Sequence, residues 1–218
     1  MSLPFALLEV GERYGDVMSL FACTYNPLKC TQRVRELIAD LFISLDGFAS
    51  GTEEAAYFGY FAQDLGNWVR EHLDERQVIL MGRVTYEALA GFAVSATDEV
   101  SARMRNLPKL VYSNTLHEPL TWNNTRLIKG EVGDAITALK QQEGDPLRAI
   151  GSIRLIKSLI KLELIDRLRL MVFPLILGQT GKEPIYAGYP RIPLELMNTK
   201  VLDSRLILLE YRPAASAS

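Results

Sequence analysis

Branched apolar residues run almost unbroken from Val34 to Leu45 and stop at Asp46-Gly47. Such a run, bounded by a turn dipeptide, predicts a buried strand. Over 53–73 the period changes. Phe58, Phe61, Leu65, Trp68, Val69 and His72 recur at steps of three and four, which predicts an amphipathic helix with Phe58, Phe61 and Trp68 in the core. Further strands are expected at Gln77–Met81, Lys109–Ser113, Thr125–Ile128, Leu147–Ile150 and Arg167–Phe173, the last ended by Pro174. Helical patterns lie between them: Val84–Ala90, a segment capped by Asp134, and a segment capped by Ser152 that carries Ile153, Ile156, Leu159 and Ile160. Residues 194–202 and 205–211 alternate around Asp203-Ser204 and read as an antiparallel hairpin. Strands alternating with helices, closed by a hairpin, give an α/β sheet with antiparallel edges.

Three strand ends carry more than a turn. Val78–Gly82 runs into Arg83 and Thr85, Leu110–Tyr112 into Ser113 and Asn114, and Leu147–Ile150 into Gly151, Ser152 and Ile153. In the first and third, an apolar strand passes through Gly into a helical pattern. Backbone N–H groups at such a helix start, aided by the helix dipole, hold anions. Arg83 adds a fixed cation, and Thr85, Ser113 and Asn114 add polar groups. One strand–Gly–helix junction is an ordinary turn. Three in one chain outline a long cleft for a multiply phosphorylated ligand, most simply a dinucleotide.

Composition narrows the field. With 48% hydrophobic and 23% charged residues over 218 positions, one α/β domain with a sizeable core is expected. The net charge of -2, with no basic run, argues against a nucleic-acid partner. No apolar stretch reaches the roughly 18–20 residues of a membrane span. The only cysteines are Cys23 and Cys30, and the only histidines are His72 and His117, so no metal site is expected. Residues 1–33 keep no period and are broken by Gly11, Gly15, Asn26 and Pro27. They read as a poorly ordered N-terminal extension, or as the product of an upstream start with Met18 as the alternative. The main body spans 34–212 and a short tail 213–218. The first residues show no signal-peptide pattern, which makes the cytoplasm the default address.

The motifs then fall into a familiar order. Ser44-Leu45-Asp46-Gly47, Gly82-Arg83-x-Thr85-Tyr86-Glu87, Pro108-Lys109-x-Val111-Tyr112-Ser113, Trp122-Asn123-Asn124, Gly151-Ser152 and Asp166-x-Leu168-Arg169-Leu170-x-x-Phe173-Pro174-x-x-x-Gly178 succeed one another. Over about residues 34–212 the chain resembles the dihydrofolate-reductase-like proteins that share the C-terminal reductase domain of the bifunctional riboflavin-biosynthesis deaminase-reductase. The resemblance implies a mixed, mostly parallel sheet flanked by helices, NADPH in an extended cleft, and a homodimer. It places Gly82, Arg83 and Thr85 at the cofactor phosphates and Ser113 and Asn114 beside the adenosine 2′-phosphate. Ile150, Gly151, Ser152 and Ile153 would line the pyrophosphate. A cation near a 2′-phosphate favours NADPH over NADH.

Two departures bear on the substrate. No Trp-x-x-Pro-x-Asp/Glu segment precedes Gly82, which argues against folate reduction. Where the riboflavin reductases carry a substrate-binding Glu, this chain has Ala149. Hydride transfer needs a close, dry approach to the nicotinamide and a proton source. Asp46 closes the first strand; partial burial would raise its pKa and suit it as proton donor, with Ser44 as a second polar candidate. Both also fit a plain turn. Tyr57 and Tyr60 are candidates for a substrate wall, and Gly178 for the cleft mouth. The expectation is an NADPH-dependent reductase of a small heterocyclic substrate other than the riboflavin-pathway intermediate. A non-catalytic nucleotide-binding protein on the same fold and a true folate reductase are the alternatives.

Overall fold

The computed structural model describes residues 35–53, 56–93, 96–189 and 191–214. The expectation for residues 1–33 lies outside them. Strands in chain order are β1 (Leu37–Ser44), β2 (Phe48–Gly51), β3 (Val78–Gly82), β4 (Lys109–Tyr112), β5 (Thr125–Ile128), β6 (Leu147–Ile150), β7 (Arg167–Phe173), β8 (Gly181–Pro184), β9 (Leu194–Leu202) and β10 (Leu206–Pro213). Helices are α1 (Gln63–Asp74), α2 (Arg83–Ala93), α3 (Glu99–Asn106), α4 (Val132–Lys140) and α5 (Ile153–Lys161).

The main sheet has eight strands in the order β5-β4-β3-β6-β1-β7-β10-β9. β5 to β7 are mutually parallel, and β10 pairs antiparallel with both β7 and β9. β2 and β8 form a separate antiparallel pair. β1, inside the eight-stranded sheet between β6 and β7, is covered on both faces, which explains its nearly continuous apolar run. Its residues Leu37, Ala39, Leu41 and Ile43 pack under α4 and α5 with Ile136, Ile153, Ile156 and Leu159. On the opposite face Phe42 joins Leu65, Trp68 and Val69 of α1, and Ile79 and Met81 of β3 meet Tyr86 and Ala90 of α2. Right-handed crossovers require this split, because the chain moves one way along the sheet through α1–α3 and the other way through α4 and α5. Ile156 is fully buried, so Ile156→Ala would cost about 2–5 kcal/mol.

The predicted strands and hairpin are observed within a few residues of their expected ends, and the predicted helix over 53–73 is corrected. It begins only at Gln63, because Tyr57 and Phe58 take left-handed backbone at φ 55° and 49° and close a tight turn over Ala56–Gly59. That turn also carries Phe61 out of the core. It is 49% exposed, whereas Phe58 and Trp68 are buried as expected.

Candidate functional site

All the expected site residues except those of the Tyr57–Tyr60 segment sit where strands of the parallel array end or in the loops just beyond. Open α/β sheets bind ligands at this carboxyl edge. Reading across the sheet, Ser113 and Asn114 follow β4, Gly82, Arg83 and Thr85 follow β3, and Gly151 and Ser152 follow β6. Ser44 and Asp46 then close β1, and Gly178 follows β7. At about 4.8 Å per strand, the row spans roughly 19 Å. Segments far apart in sequence thus become one linear track.

At the middle of the track, the β3 and β6 junctions lock together. Gly82 N–H donates to Ser152 Oγ (2.7 Å). Ser152 donates to Thr85 Oγ1 through both its N–H (3.0 Å) and its hydroxyl (2.8 Å). Thr85 therefore accepts twice, and its own proton remains to be donated. Gly151 and Ser152 both have positive φ, and a Cβ on Gly151 would press on Thr85 at 3.3 Å. Ser152 occupies the cap position of α5 without capping it, since its hydroxyl serves the β3 junction.

The electrostatics of this pair of helix starts favour an anion. Neither α2 nor α5 has an acidic residue in its first turn. Each carries an arginine there, Arg83 and Arg154, against the usual preference of the helix dipole. Arg83 pairs with Glu87 at 2.8 Å with both side chains 47% exposed. Arg154 is exposed and has no partner among the described residues. Arg154 was not among the expected site residues, although a cation two residues after Ser152 at a predicted helix start is the signal for it. These groups suit a phosphorylated cofactor.

At the β4 end of the track the polar groups turn inward on their own loops. The hydroxyl of buried Ser113 accepts from Thr115 N–H (3.2 Å) and Leu116 N–H (3.1 Å). Asn114 clasps Gly130, donating to its carbonyl (3.2 Å) and accepting from its N–H (2.9 Å). Their observed contacts brace the rim.

At the other end, Asp46 is a clamp. Its carboxylate accepts from the Ser44 hydroxyl (2.7 Å), Leu177 N–H (3.1 Å) and Gly178 N–H (2.8 Å). Those bonds, that of Ser44 first, hold its pKa below the ordinary carboxylate value. The expectation of a raised pKa is corrected: Asp46 is exposed and hydrogen-bonded as an anion. It ties the β1 turn to the loop after β7. Gly47 (φ +84°) is obligatory in that turn, because a Cβ would meet the Tyr186 ring at 2.4 Å. Gly178–Thr180 form a 3-10 turn that leads into β8. Tyr57 packs on Phe42 and Phe61, with ring centroids 5.5 and 5.0 Å apart, and burial raises its pKa. Tyr60 lies over Phe173, with Arg205 5.3 Å from its ring. Exposed Leu45, Phe61, Val84, Ile176 and Tyr186 surround this edge. Ala149 is fully buried in the core under α5, away from the track. Among the described residues no cluster could hold a metal ion, and no helix is long and apolar enough to cross a membrane.

Comparison with known proteins agrees with this fold. The model of the RibD C-terminal domain matches residues 35–208. Protein YyaP of Bacillus subtilis (strain 168) is 27% identical over 182 residues, covering 81% of this chain and 94% of that protein. A protein from Shewanella sp. PV-4 named for riboflavin biosynthesis has a similar structure, with TM-score 0.66 and 20% identity over 83% of this chain and 99% of that one. Dihydrofolate reductase from Enterococcus faecalis, solved with NADP(H), gives TM-score 0.54 and 16% identity over 83% of this chain and 97% of its own.

Proposed function

This chain belongs to the RibD C-terminal domain family, a reductase-type domain on a dihydrofolate-reductase-like fold, and from that premise we propose that it is an NADPH-dependent reductase of a small heterocyclic substrate. The observation that carries the reading is the joined β3–β6 junction, where two helix starts free of acidic residues bring Arg83, Arg154 and the free Thr85 proton to one stretch of the edge. Gly82, Arg83, Thr85, Gly151, Ser152 and Ile153 would hold the cofactor phosphates, with Asn114 at the far rim. NADPH, when bound, supplies the hydride.

The protein's own part is placement. Asp46 and Ser44 fix the loop at Leu177 and Gly178 and so shape the reacting end as positioning residues. Tyr57, Tyr60 and the apolar rim offer a flat, water-excluding wall that suits a planar ring. With Asp46 held as an anion, the proton that accompanies the hydride comes from water. Weak turnover of the riboflavin-pathway intermediate is part of the proposal.

The test is calorimetric titration with NADPH, followed by single-turnover oxidation of bound NADPH against a panel of oxidised heterocycles that includes the riboflavin intermediate. Saturable NADPH binding with turnover of a panel member supports the reading. Absence of NADPH binding sinks it. Binding without turnover of any member turns the assignment to the non-catalytic alternative, which the lack of a free acid at the reacting end favours.

A further inference from the structure

The amino edge of the same sheet holds a second feature that the reductase reading leaves unused. A pocket of about 220 Å³ opens under the end of α1, between the starts of β1, β6 and β7. Its floor includes two guanidinium groups that are almost wholly buried, Arg148 at 7% and Arg169 at 5% side-chain exposure. One buried carboxylate, Asp40, serves both. It forms a short ion pair with Arg148 Nε and lies 2.9 Å from Arg169 Nε, without hydrogen-bond alignment to the latter. Arg148 also donates from Nη1 to the His72 carbonyl (3.1 Å) and to Gln77 Oε1 (3.3 Å). The two terminal nitrogens of Arg169 have no hydrogen-bond partner among the described residues.

Two buried cations against one buried anion leave one positive charge in a poorly solvated place, which is costly. The face of Trp68 offsets part of it, at 5.6 Å from Arg148 and 5.9 Å from Arg169. At the pocket wall Glu36 and Glu210 share Arg167 rather than reaching Arg169, so the balancing negative charge sits on the wall and the Arg169 fork stays open. A guanidinium has donors only, in a planar fork that matches two oxygens of one ligand. We infer that this pocket is a binding site for a small monocarboxylate, seated on the Arg169 fork. Its volume is several times the roughly 30 Å³ of a water molecule, enough for a few heavy atoms. A doubly charged phosphate is repelled more strongly than a monocarboxylate by Glu36, Glu75 and Glu210 around the pocket.

The test is calorimetric titration of the full chain with sodium acetate, and separately with inorganic phosphate, at neutral pH and constant ionic strength set by chloride. One saturable acetate equivalent per chain, tighter than phosphate, is expected. Arg169→Lys keeps a cation opposite Asp40 but removes the fork, and should weaken acetate by at least about tenfold. Glu75→Trp, a change at an exposed rim position, should block the pocket without touching Asp40, Arg148 or Arg169, and so serves if Arg169→Lys does not fold. Arg83→Ala and Arg154→Ala, at the opposite edge, should leave acetate binding unchanged. No saturable acetate binding, equal binding by Glu75→Trp, or loss of binding in either carboxyl-edge variant overturns the inference.

Discussion

At Arg83 the magnitudes decide between a surface pair and a ligand contact. An ion pair as exposed as Arg83–Glu87 contributes only a few tenths of a kcal/mol up to about 1 kcal/mol, so a phosphate can take the arginine over at little cost. NADPH is expected to bind about tenfold tighter than NADH, a difference of about 1.4 kcal/mol, and Arg83→Ala should erase most of it. Calorimetry with both cofactors checks this, and equal wild-type affinities refute it. Asp46 yields a pH prediction. Its folded pKa is lowered, so the stability it contributes is present above the unfolded value of about 3.9 and is lost as pH falls through the folded pKa. The stability gap between wild type and Asp46→Asn should hold from neutral pH down towards that value and close below it, as read by urea unfolding across the range. Because Asn accepts at only one atom, the same variant should slow single-turnover hydride transfer while NADPH affinity stays near wild type. A full rate would return Asp46 to a plain turn role.

Among the elements, α3 shows how a local pattern can be too weak to read. In Glu99–Asn106 only Val100 and Met104 are large and apolar, and no helix was expected there. Its ends are made by partners. Asp98 caps it through Ser101 N–H (2.9 Å) and the Ser101 hydroxyl (2.7 Å). Arg103 reaches across to Asp74 of α1 at 2.9 Å. At the other end, the buried Lys109 ammonium donates to the carbonyls of Met104 (2.9 Å), Arg105 (3.0 Å) and Leu107 (2.6 Å), and lies 4.8 Å from the Trp122 ring. Lys109→Met would leave these carbonyls without their donor and should cost about 2 kcal/mol or more. Burial lowers the Lys109 pKa to about 8, below its ordinary value of 10.5. The unfolded chain then holds the proton more tightly, so wild-type stability relative to Lys109→Met should rise as pH climbs from about 8 towards 10.5. Urea unfolding of both proteins at neutral and alkaline pH measures it, and a gap independent of pH would contradict the assignment.

At the scale of the molecule, exposed apolar side chains of the described residues gather mainly at two places. One is the carboxyl-edge rim. The other is the β9–β10 hairpin, where Leu194, Leu196, Met197, Val201 and Ile207 are each more than 40% exposed. β9 ends the sheet, and among the described residues its nine-residue outer edge has no strand partner. A long, apolar, unpaired edge is a template for another strand, and soluble proteins cover or charge such edges. We expect a homodimer through this hairpin. Light scattering at micromolar concentration should return twice the 24.5 kDa chain mass, and Val201→Lys with Leu196→Lys should return one chain mass with the fold unchanged. A wild-type monomer would refute the expectation.

The sequence by itself determined the elements whose signal is local and the motifs that sit at their ends. β1, β3, β4, β5, β6, β7 and the terminal hairpin follow from apolar runs and turn dipeptides, and the row Gly82-Arg83, Ser113-Asn114 and Gly151-Ser152 follows from what comes after β3, β4 and β6. The tertiary structure alone decided what those groups do to one another. Ser152 reads as a helix cap, yet its hydroxyl goes to Gly82 and Thr85, about 70 residues earlier. Asp46 reads as a carboxylate open to burial, yet backbone N–H groups from Leu177 and Gly178 hold it ionised. Ala149 reads as a cleft position, yet the alternation of β6 turns it into the core while Arg148 faces Asp40 on the other side. The left-handed turn at Tyr57 and Phe58 interrupts a pattern whose period looked helical, and no local residue preference announces it. Periodicity is carried by neighbours in sequence. Hydrogen-bond partners, charge balance and exposure are set by neighbours in space, and those exist only once the sheet has been assembled.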